Sequence, residues 1–560
     1  MSYYLLKVCI LNRPALNRLF DYYAKEEITS GKIVEVEFNK ALVKGLVIES
    51  KLSKEIKGIK EINKINNDFL DAEVLVLLKL LEKKYFVFFN QALKSLYPKT
   101  QLPLNINNIN QNNDRFQTFY LKENLEDYIE KNMRLFKEYK SILIVCPDVK
   151  SVKKAKLVIR YDNILIIHKN DIGLIYPNVD LIIVNDATNY RYRISKYNQF
   201  DTFDLARFKA KYKNIPLILA DMEFNISFYK SFIDKEIKLF NDFEIISDKS
   251  IIKLIEMNLE IQKGNFSVIS EPLKKIIADN IIKKERTLLI HPFKGYSHLI
   301  SCRSCQNIIK CPVCLKVLAY HKEKNIVTCS CGYKKNGLSN CSQCNNETFI
   351  EGYPGLEQFS EELKAIFKDA KILIAEYNKN INNTDIVLTT DINLSELDFN
   401  VIGFLSFDFY NNLKDYNAKE RCFLDIRTII NNLNRKSKET NLVIQSFEFN
   451  NDALEFAINN DFEGFYEEEI INRERAHTSP FRNTLKLEIT GRKAATKALD
   501  IFFELQKDKL LRVLRPIASK EKKNCQEIKI NYPPDYFFDR TIKALLEKYK
   551  DVTYLIERLS

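Results

Sequence analysis

Short runs of apolar residues, separated by polar stretches of helical periodicity, dominate the middle of the chain. Eight such runs fall into two groups: 141–146, 164–168, 181–185, 215–220, then 371–377, 386–390, 401–407 and 441–447. They are rich in Ile, Leu and Val and show little alternation with polar residues, which is typical of parallel strands buried on both faces of a sheet. The pattern therefore predicts two α/β halves.

The pattern changes toward the beginning of the chain. Residues 1–65 contain short strand-like runs separated by glycines, which predicts a small β-rich domain. Between residues 71 and 96 the apolar positions recur at spacings of three and four, predicting two short amphipathic helices. The polar, Asn-rich stretch 101–115 has the composition of a linker.

The last hundred residues form a further pattern. They contain a strand-like run at 485–490, a helical stretch at 495–510, a further strand and a closing helical stretch at 541–549. This order predicts a separate α+β domain at the carboxyl end.

Charge and composition narrow the classes of function. The chain of 560 residues carries 86 Lys and Arg against 74 Asp and Glu, a net charge of +12 that favours an acidic partner such as nucleic acid. No uncharged apolar stretch reaches eighteen residues, and Lys7, Arg13 and Arg18 interrupt the region where a signal peptide needs an apolar run. We expect a cytoplasmic protein with no membrane partner. Cysteines in that compartment stay reduced, so clustered ones are metal ligands rather than disulfides.

Eight of the twelve cysteines form four closely spaced pairs. The pairs are Cys302 and Cys305, Cys311 and Cys314, Cys329 and Cys331, and Cys341 and Cys344. Four thiolates complete the tetrahedral shell of one zinc ion, so eight predict two zinc ions. Such sites leave no open position for water, and their role is therefore structural.

The motifs around these cysteines resemble the family of primosomal protein N′, PriA, the replication-restart DNA helicase. Gly295-Tyr296 precedes the cysteine pairs and Gly355-Leu356-Glu357 follows them. Further segments extend the resemblance over most of the chain: 17–24, 205–210, 398–408, 417–423 and 465–481.

The resemblance implies how the cysteines divide between the two ions. In the family the outer two pairs share one zinc, which implies a first site of Cys302, Cys305, Cys341 and Cys344. The inner pairs share the other, which implies a second site of Cys311, Cys314, Cys329 and Cys331. The third pair is CSC here where the family has CxxC, and an alternative is that His321 replaces one thiolate.

The family's N-terminal domain captures the 3′ end of a nascent DNA strand. Its pocket corresponds to Phe20, Asp21, Asn39 and Lys60, and the family has glycine where Asn39 stands. An aromatic ring that packs on a base and a lysine that meets a phosphate suit this task. The alternative is that Phe20 is a core residue and Asp21 a turn residue.

The motifs of an ATP-driven motor are missing. A phosphate-binding loop needs GxxxxGK followed by Ser or Thr, but no glycine lies between Gly58 and Gly173. The family's DEEH or DEAH is here 185–188, Asn-Asp-Ala-Thr, and its SAT motif is replaced by 220–227. Its GRAGR reads Asn-Asn-Leu-Asn-Arg at 431–435. We therefore expect no catalytic residues and no nucleotide-binding residues.

The resemblance and the patterns together predict a fold class. We expect an α/β protein with two RecA-like lobes of a degenerate superfamily 2 helicase, a zinc-knuckle insertion, a β-rich N-terminal DNA-binding domain and an α+β C-terminal domain. The expected domains are 1–65 for 3′-end binding, 66–100 as a winged-helix-like module, 101–115 as linker, 116–285 as lobe 1, 286–450 as lobe 2 with its zinc-binding insertion at 301–346, and 451–560 at the carboxyl end.

The leading hypothesis for function is a DNA-binding replication-restart protein without helicase or ATPase activity. Its expected partners are branched or forked DNA, single-stranded DNA, primosome proteins, the loading machinery of the replicative helicase and single-stranded DNA-binding protein. One alternative is an active ATP-dependent 3′-5′ DNA helicase with an unrecognised nucleotide site. A second alternative is a zinc-dependent scaffold that binds protein or RNA.

Overall fold

A computed structural model describes most of the chain and leaves out several short segments and one longer stretch. The described residues are 3–11, 19–56, 58–85, 87, 89–97, 116–194, 200–241, 251–312, 317–329, 332–338, 340–375, 381–413, 415–436, 440–519, 524–538 and 552–558. The predicted linker, the predicted helix at 541–549 and the predicted ligands Cys314 and Cys331 lie outside them. Within the described ranges, no helix combines the length and apolar composition required to span a bilayer.

The N-terminal region is a six-stranded sheet in the order β5-β2-β1-β4-β3-β6, which confirms the predicted β-rich start. Adjacent strands are antiparallel apart from the parallel pair β2 and β5. Alternate side chains such as Leu6, Val8, Val34 and Val36 form its core. The strands are β1 (Tyr3–Ile10), β2 (Phe20–Ala24), β3 (Lys32–Phe38), β4 (Ala41–Ser53), β5 (Lys60–Glu61) and β6 (Lys64–Phe69).

The two helices predicted next are confirmed as α1 (Ala72–Lys84) and α2 (Phe89–Leu96). Asp71 caps the first helix, because its carboxylate accepts hydrogen bonds from the N–H groups of Glu73 at 2.8 Å and Val74 at 3.4 Å.

The first α/β half is a fully parallel six-stranded sheet in the order β14-β7-β13-β10-β8-β9. Its strands are β7 (Thr118–Leu121), β8 (Ile142–Cys146), β9 (Ile164–His168), β10 (Leu181–Asn185), β13 (Leu217–Ala220) and β14 (Ile237–Leu239), with a small pair β11 (Arg193–Ile194) and β12 (Phe200–Asp201). Its helices are α3 (Leu125–Lys131), α4 (Met133–Phe136), α5 (Val149–Val158), α6 (Thr202–Lys213) and α7 (Ile226–Ile233).

Buried charges join α1 to α6. The Glu73 carboxylate binds the ammonium of Lys209, which also donates to the Leu174 carbonyl at 2.8 Å. Lys213 lies 3.5 Å from the other Glu73 oxygen, and Lys84 lies 2.6 Å from Asp204. Because a buried charge is costly without its partner, these contacts fix the helical pair against the first parallel sheet.

The second α/β half is also a fully parallel sheet, in the order β15-β25-β24-β16-β23-β22. Its strands are β15 (Ile251–Glu256), β16 (Thr287–Ile290), β22 (Ile372–Ile374), β23 (Ile386–Thr389), β24 (Val401–Phe404) and β25 (Asn441–Ser446). Its helices are α8 (Met257–Gln262), α9 (Glu271–Ile282), α10 (Leu356–Ile366), α11 (Asp408–Asn411), α12 (Ala418–Asn434), α13 (Asp452–Ile458) and α14 (Phe462–Ala476).

This sheet starts earlier in the chain than predicted. Strand β15 pairs with β25 along its whole length, and α9 contributes Leu273 and Ile277 to the core of the second sheet. The expected boundary between 285 and 286 is therefore wrong. The exposed residues of β15 kept it from being recognised, because an edge strand lacks the continuous apolar run of a central one.

The cysteine-rich segment builds a five-stranded antiparallel sheet of its own, in the order β20-β19-β18-β17-β21. Its strands are β17 (Ser297–Cys302), β18 (Ala319–His321), β19 (Ile326–Thr328), β20 (Lys334–Asn336) and β21 (Phe349–Pro354). A small core of Ile300, Leu318 and Val327 lies beside Cys311. We call residues 297–354 the cysteine module.

In its described residues, the carboxyl-terminal region combines an antiparallel sheet with the first of the two predicted helices. The strands are β26 (Asn483–Gly491), β27 (Arg512–Val513), β28 (Ile517–Ala518), β29 (Cys525–Tyr532) and β30 (Val552–Arg558), and the helix is α15 (Ala494–Leu505). The chain as a whole divides into two compact units, Met1–Phe243 with Ile470–Ser560, and Glu244–Glu469.

Candidate functional site

The outer cysteine pairs meet at one end of the cysteine module. The four sulfurs of Cys302, Cys305, Cys341 and Cys344 all lie within 4.8 Å of one another. The Sγ atoms of Cys302 and Cys344 are 3.5 Å apart, and those of Cys305 and Cys341 are 3.6 Å apart. Four sulfurs around a tetrahedral zinc ion with Zn–S bonds of 2.3 Å are roughly 3.8 Å apart. The cluster has the size and the donor set of a zinc site.

Two matching turns hold these four cysteines. The N–H of Cys302 donates to the Asn307 carbonyl at 2.9 Å, and the N–H of Cys341 donates to the Asn346 carbonyl at 2.9 Å. In each turn the residue after the second cysteine is left-handed, with φ of 59° at both Gln306 and Asn345. Backbone N–H groups of Gln343 and Cys344 lower the pKa of the Cys341 thiol to about 6. At Cys341 the turn therefore favours the thiolate that binds metal.

The inner site is described for two of its four predicted ligands, Cys311 and Cys329. Cys311 is fully buried. The turn at Cys329 is one residue shorter than the outer turns: the N–H of Cys329 donates to the Tyr333 carbonyl at 2.9 Å, and Gly332 occupies the left-handed position with φ of 94°. The shorter turn is the structural counterpart of the CSC spacing.

The alternative that His321 is a zinc ligand finds no support in its contacts. Its Nδ1 lies 2.7 Å from a Glu357 oxygen and its Nε2 lies 3.0 Å from the Thr328 hydroxyl. The other Glu357 oxygen accepts from the N–H of Lys322 at 3.0 Å. Since both ring nitrogens are engaged, His321 instead fastens the cysteine module to α10.

The four residues of the predicted pocket lie at one end of the N-terminal sheet. Phe20 packs edge-to-face against Phe38, with ring centroids 4.8 Å apart, and Phe38 directly precedes Asn39. Lys60 lies on β5 beside β2 and binds Glu37 at 2.8 Å. The β3–β4 hairpin thus brings together residues that are forty positions apart in the sequence.

The alternatives for Phe20 and Asp21 are answered differently. Phe20 is half-buried and packs against the core of the sheet, so a part of its ring has a structural role. Asp21 is not a turn residue, because it lies within β2, is exposed and binds Lys7 at 2.8 Å.

Asn39 takes over the conformation that glycine would provide. Asn39 and Lys40 form the two-residue connection between β3 and β4, with φ of 49° and 63°. A two-residue hairpin of this kind requires positive φ at both positions, and Asn tolerates this better than other residues with a side chain. The hairpin therefore keeps its shape without the glycine.

At the carboxyl ends of the first parallel sheet, the loops are filled by the chain's own side chains. The connection after β7 is only residues 122–124, followed by α3, whose cap is Asn124. The Lys122 ammonium lies 3.4 Å from Glu223, and both side chains are more than nine-tenths buried. The lysine at this edge is therefore already paired with a carboxylate.

The positions of the missing motor motifs are joined to one another. Asn185 at the end of β10 donates to the buried Glu126 carboxylate at 3.3 Å. Thr188 donates through its N–H at 2.9 Å and its hydroxyl at 2.7 Å to Asp221, and burial raises the pKa of Asp221. We call the contacts among Lys122, Glu126, Asn185, Thr188, Asp221 and Glu223 the edge network. Two buried carboxylates here would repel a phosphate.

In the second half, the residues at 431–435 are built into the end of a helix. Asn431 lies in α12 and accepts from Arg427 at 3.1 Å, while Asn432 donates to the Ser395 hydroxyl at 2.8 Å. Arg435 is the C-cap residue and is exposed.

The sequence did not reveal Glu37, Phe38 or the edge network. Glu37 and Phe38 end strand β3 and resemble any strand end, and only their side-chain contacts with Lys60 and Phe20 bring them to the pocket. The edge network joins loops that are far apart in sequence, so no local spacing signals it.

Comparison with known proteins defines the class of the N-terminal region. The family model for the 3′ DNA-binding domain (3′BD) of PriA matches residues 8–98, which include the hairpin, the pocket residues and both helices.

Curated relatives extend the similarity beyond that domain. Each is a replication restart protein PriA: that of Borreliella burgdorferi is 26% identical over 405 residues, 69% of this chain and 60% of that protein. The Bacillus subtilis protein is 21% identical over 431 residues, 70% of this chain and 53% of that protein. The Rickettsia conorii protein is 24% identical over 562 residues, 86% of each. The chain thus spans less than two thirds of the first two relatives. The matches agree with one another, and each points to similarity with the PriA family.

Proposed function

We propose that this protein binds DNA at branched or stalled replication forks, recognises the free 3′ end of a strand and recruits primosome components for replication restart. The observation that carries the proposal is the match of the 3′ DNA-binding domain to residues 8–98, where the four pocket residues converge. The name shared by the curated relatives, replication restart protein, supports the same process.

The chemistry of the pocket suits the end of a DNA strand. The Phe20 ring offers an apolar edge for a base, and the Asp21 carboxylate accepts a hydrogen bond from a terminal 3′ hydroxyl. The Lys60 ammonium leaves the Glu37 carboxylate and binds a phosphate of the DNA instead. Since the pairs Lys7–Asp21 and Lys60–Glu37 are both substantially exposed, exchanging a protein partner for a DNA partner costs little.

We propose that the protein acts without ATP hydrolysis. The sequence lacks a phosphate-binding loop, and the edge network fills the carboxyl end of the first sheet with the buried carboxylates Glu126 and Glu223. Phosphate binding needs several N–H donors and a positive charge, and here the nearby Lys122 is bound to Glu223. The two parallel sheets would then be RecA-like lobes kept as a scaffold.

We further propose two zinc ions in the cysteine module. The outer cluster has a fitting geometry, and the short turn at Cys329 supports a second site with Cys311, Cys314 and Cys331. Zinc bound by four thiolates supplies folding free energy and no catalysis. The domain division proposed from the sequence is retained with one change, in which the second lobe begins at β15 rather than at residue 286.

The proposed partners follow from the process. They are forked and single-stranded DNA, single-stranded DNA-binding protein, other primosome proteins and the machinery that loads the replicative helicase. Without a motor of its own, the protein would contribute recognition and recruitment, and unwinding would come from a partner helicase.

The test compares two labelled forks that differ only at the end of the leading strand. One fork ends in a 3′ hydroxyl and the other in a 3′ phosphate, and binding and ATP hydrolysis are measured on the same samples. We expect tighter binding to the hydroxyl end and no hydrolysis above background. Asp21→Asn should lower the affinity for the hydroxyl end by roughly tenfold or more, since a hydrogen bond to a charged group is removed.

The matched control is Glu61→Gln, which removes an exposed carboxylate from the same sheet, where it binds Lys25 and not a pocket residue. It should leave the preference for the hydroxyl end unchanged. Equal binding of both forks would reject end recognition. DNA-stimulated ATP hydrolysis would contradict the proposal that the protein has no motor and would favour an active helicase. Absence of DNA binding would favour a scaffold that binds protein or RNA.

A further inference from the structure

A cluster of aromatic side chains lies where the second parallel sheet meets the cysteine module. Phe293, just after β16, is its centre: its ring stacks on His298 with centroids 4.3 Å apart and an interplanar angle of 17°. It lies 5.6 Å from Phe409, nearly perpendicular, and 6.3 Å from Tyr353. All these residues belong to the unit Glu244–Glu469. We call them the aromatic platform.

Tyr353 differs from the other members because it is exposed and its backbone is strained. Its exposed fraction is 59%, and its φ is 49° within strand β21. Left-handed backbone is unfavourable for a tyrosine, and such conformations persist where the surroundings impose them and often where a ligand binds. The packing of the sheet alone does not require a large exposed ring at this position.

The platform is held rigidly by backbone contacts. The N–H of Leu356 donates to the Phe293 carbonyl at 3.1 Å, and the N–H of Glu357 donates to the Gly295 carbonyl at 2.9 Å. A Cβ at Gly355 would lie 2.2 Å from the Gly295 oxygen, so only glycine permits the two loops to approach this closely. The rings are therefore oriented before any ligand arrives, which lowers the entropic cost of binding.

Two cations lie near the platform, and one of them, Arg421, is 3.7 Å from the Asp425 carboxylate. The Arg421 guanidinium lies over the Phe409 ring, 5.2 Å from its centroid, and its side chain is nearly half exposed. Lys294, next to Phe293, is also exposed. Aromatic rings with cations at their rim suit single-stranded nucleic acid, where bases stack on rings and phosphates meet the cations.

We propose that the aromatic platform binds single-stranded DNA by stacking a base against Tyr353 and Phe293, while Arg421 and Lys294 contact the adjoining phosphates. The inference rests on the proposed function, because it adds a second DNA contact, independent of the 3′ end, to a DNA-binding protein. The platform reads the faces of bases and therefore discriminates poorly between sequences.

The chain contains no tryptophan, so Tyr353→Trp creates a single fluorescent reporter at the platform. The full-length, zinc-replete variant is titrated with an oligothymidylate that ends in a 3′ phosphate, and in parallel with an oligonucleotide of the same length and end but without bases. We expect fluorescence quenching by the oligothymidylate and little by the abasic strand. Phe266→Trp, at an exposed aromatic position of the same unit, is the control and should show no quenching.

A second variant measures affinity. Tyr353→Ala should weaken binding of the 3′-phosphate oligothymidylate by roughly fivefold or more, since stacked aromatic residues contribute substantially to single-strand binding. It should leave the preference for a fork with a 3′ hydroxyl unchanged. Zinc content and thermal unfolding, measured on each variant, show that the fold is retained.

Two results would overturn this inference without affecting the proposed function. In the first, the wild-type protein binds the thymidylate and abasic strands with equal affinity. In the second, oligothymidylate binds but leaves the Tyr353→Trp fluorescence unquenched. Either would favour a protein partner for the exposed rings while the proposed end recognition stands. If the wild-type protein binds no DNA at all, the proposed function fails together with the platform.

Discussion

The N-terminal pocket and the carboxyl edge of the first parallel sheet both gather charged side chains at strand ends, but they use them in opposite ways. In the pocket, Lys60 and Glu37 keep exposed fractions of 61% and 42%. At the edge, Lys122 and Glu223 keep 8% and 7%. Exposed pairs exchange readily for a ligand, whereas buried pairs are held by the cost of leaving either charge alone. The difference agrees with the proposed function, in which the pocket serves binding and the edge serves stability.

Removing a metal ligand is expected to have the largest effect on the fold. The loss should be confined to the cysteine module and leave the N-terminal pocket and the edge of the first parallel sheet folded. Cys341→Ser should release one zinc ion per chain and unfold the cysteine module, since structural zinc contributes on the order of 10 kcal/mol. Zinc content and protease sensitivity within residues 297–354 measure this. The control Cys525→Ala removes a buried thiol in β29, outside the module, and should retain all zinc. Unchanged zinc content in Cys341→Ser would contradict the assigned ligand set.

The comparison itself predicts that buried and exposed ion pairs respond differently to the same kind of change. Lys122→Met leaves the Glu223 carboxylate buried without its cation, so the free energy of unfolding should fall by about 3 kcal/mol. Lys131→Met removes the exposed partner of Glu123, 3.0 Å away, and should cost less than about 1 kcal/mol. Denaturant unfolding measures both. Equal losses would mean that the buried pair Lys122–Glu223 stabilises the protein no more than the exposed pair Lys131–Glu123.

A buried histidine extends the comparison to the second sheet. Burial lowers the pKa of His291 to about 4, and its Nε2 lies 2.7 Å from the Pro354 carbonyl. In the unfolded chain its pKa is about 6.5, so below that pH the unfolded state binds more protons and the folded state loses stability. Between pH 6.5 and 5 the loss should be about 2 kcal/mol.

His291→Asn should flatten this part of the pH dependence of unfolding, measured by denaturation at each pH. His477→Asn, at an exposed position, is the matched control and should keep the wild-type slope. Identical slopes in all three proteins would show that His291 does not resist protonation.

The smallest expected effect concerns the pocket. Glu37→Gln releases Lys60 for a phosphate, so the affinity for a 3′-hydroxyl fork should rise by a few-fold and the dependence on salt should become steeper by roughly one counterion. Binding is measured at several salt concentrations, with Glu61→Gln as the control. Weaker binding by Glu37→Gln would mean that Glu37 positions Lys60 rather than competing for it.

Much of the fold could be predicted, because the central strands are locally distinctive. The runs at 142–146, 164–167 and 181–184 are apolar throughout and lie in β8, β9 and β10. The edge strand β15 escaped recognition, since its pairing depends on a partner almost two hundred residues away. The same reason explains the sites. Cysteine spacing is local and predicted metal ligands, and the family resemblance implied that the outer four share one site, whereas the edge network depends on loops that meet only in the folded chain.

The short turn at Cys329 restricts which residues can occupy its left-handed position. Gln306 and Asn345 occupy the left-handed position of the outer turns at φ of 59°, within reach of residues that carry a side chain. Gly332 stands at 94°, beyond that range, although open space surrounds the position where a Cβ would be. The shorter turn therefore restricts its left-handed position to glycine, whereas the outer turns accept residues with a side chain there. A substitution at Gly332 would meet backbone strain rather than a lack of space, so the inner turn depends on a residue that the outer turns do without.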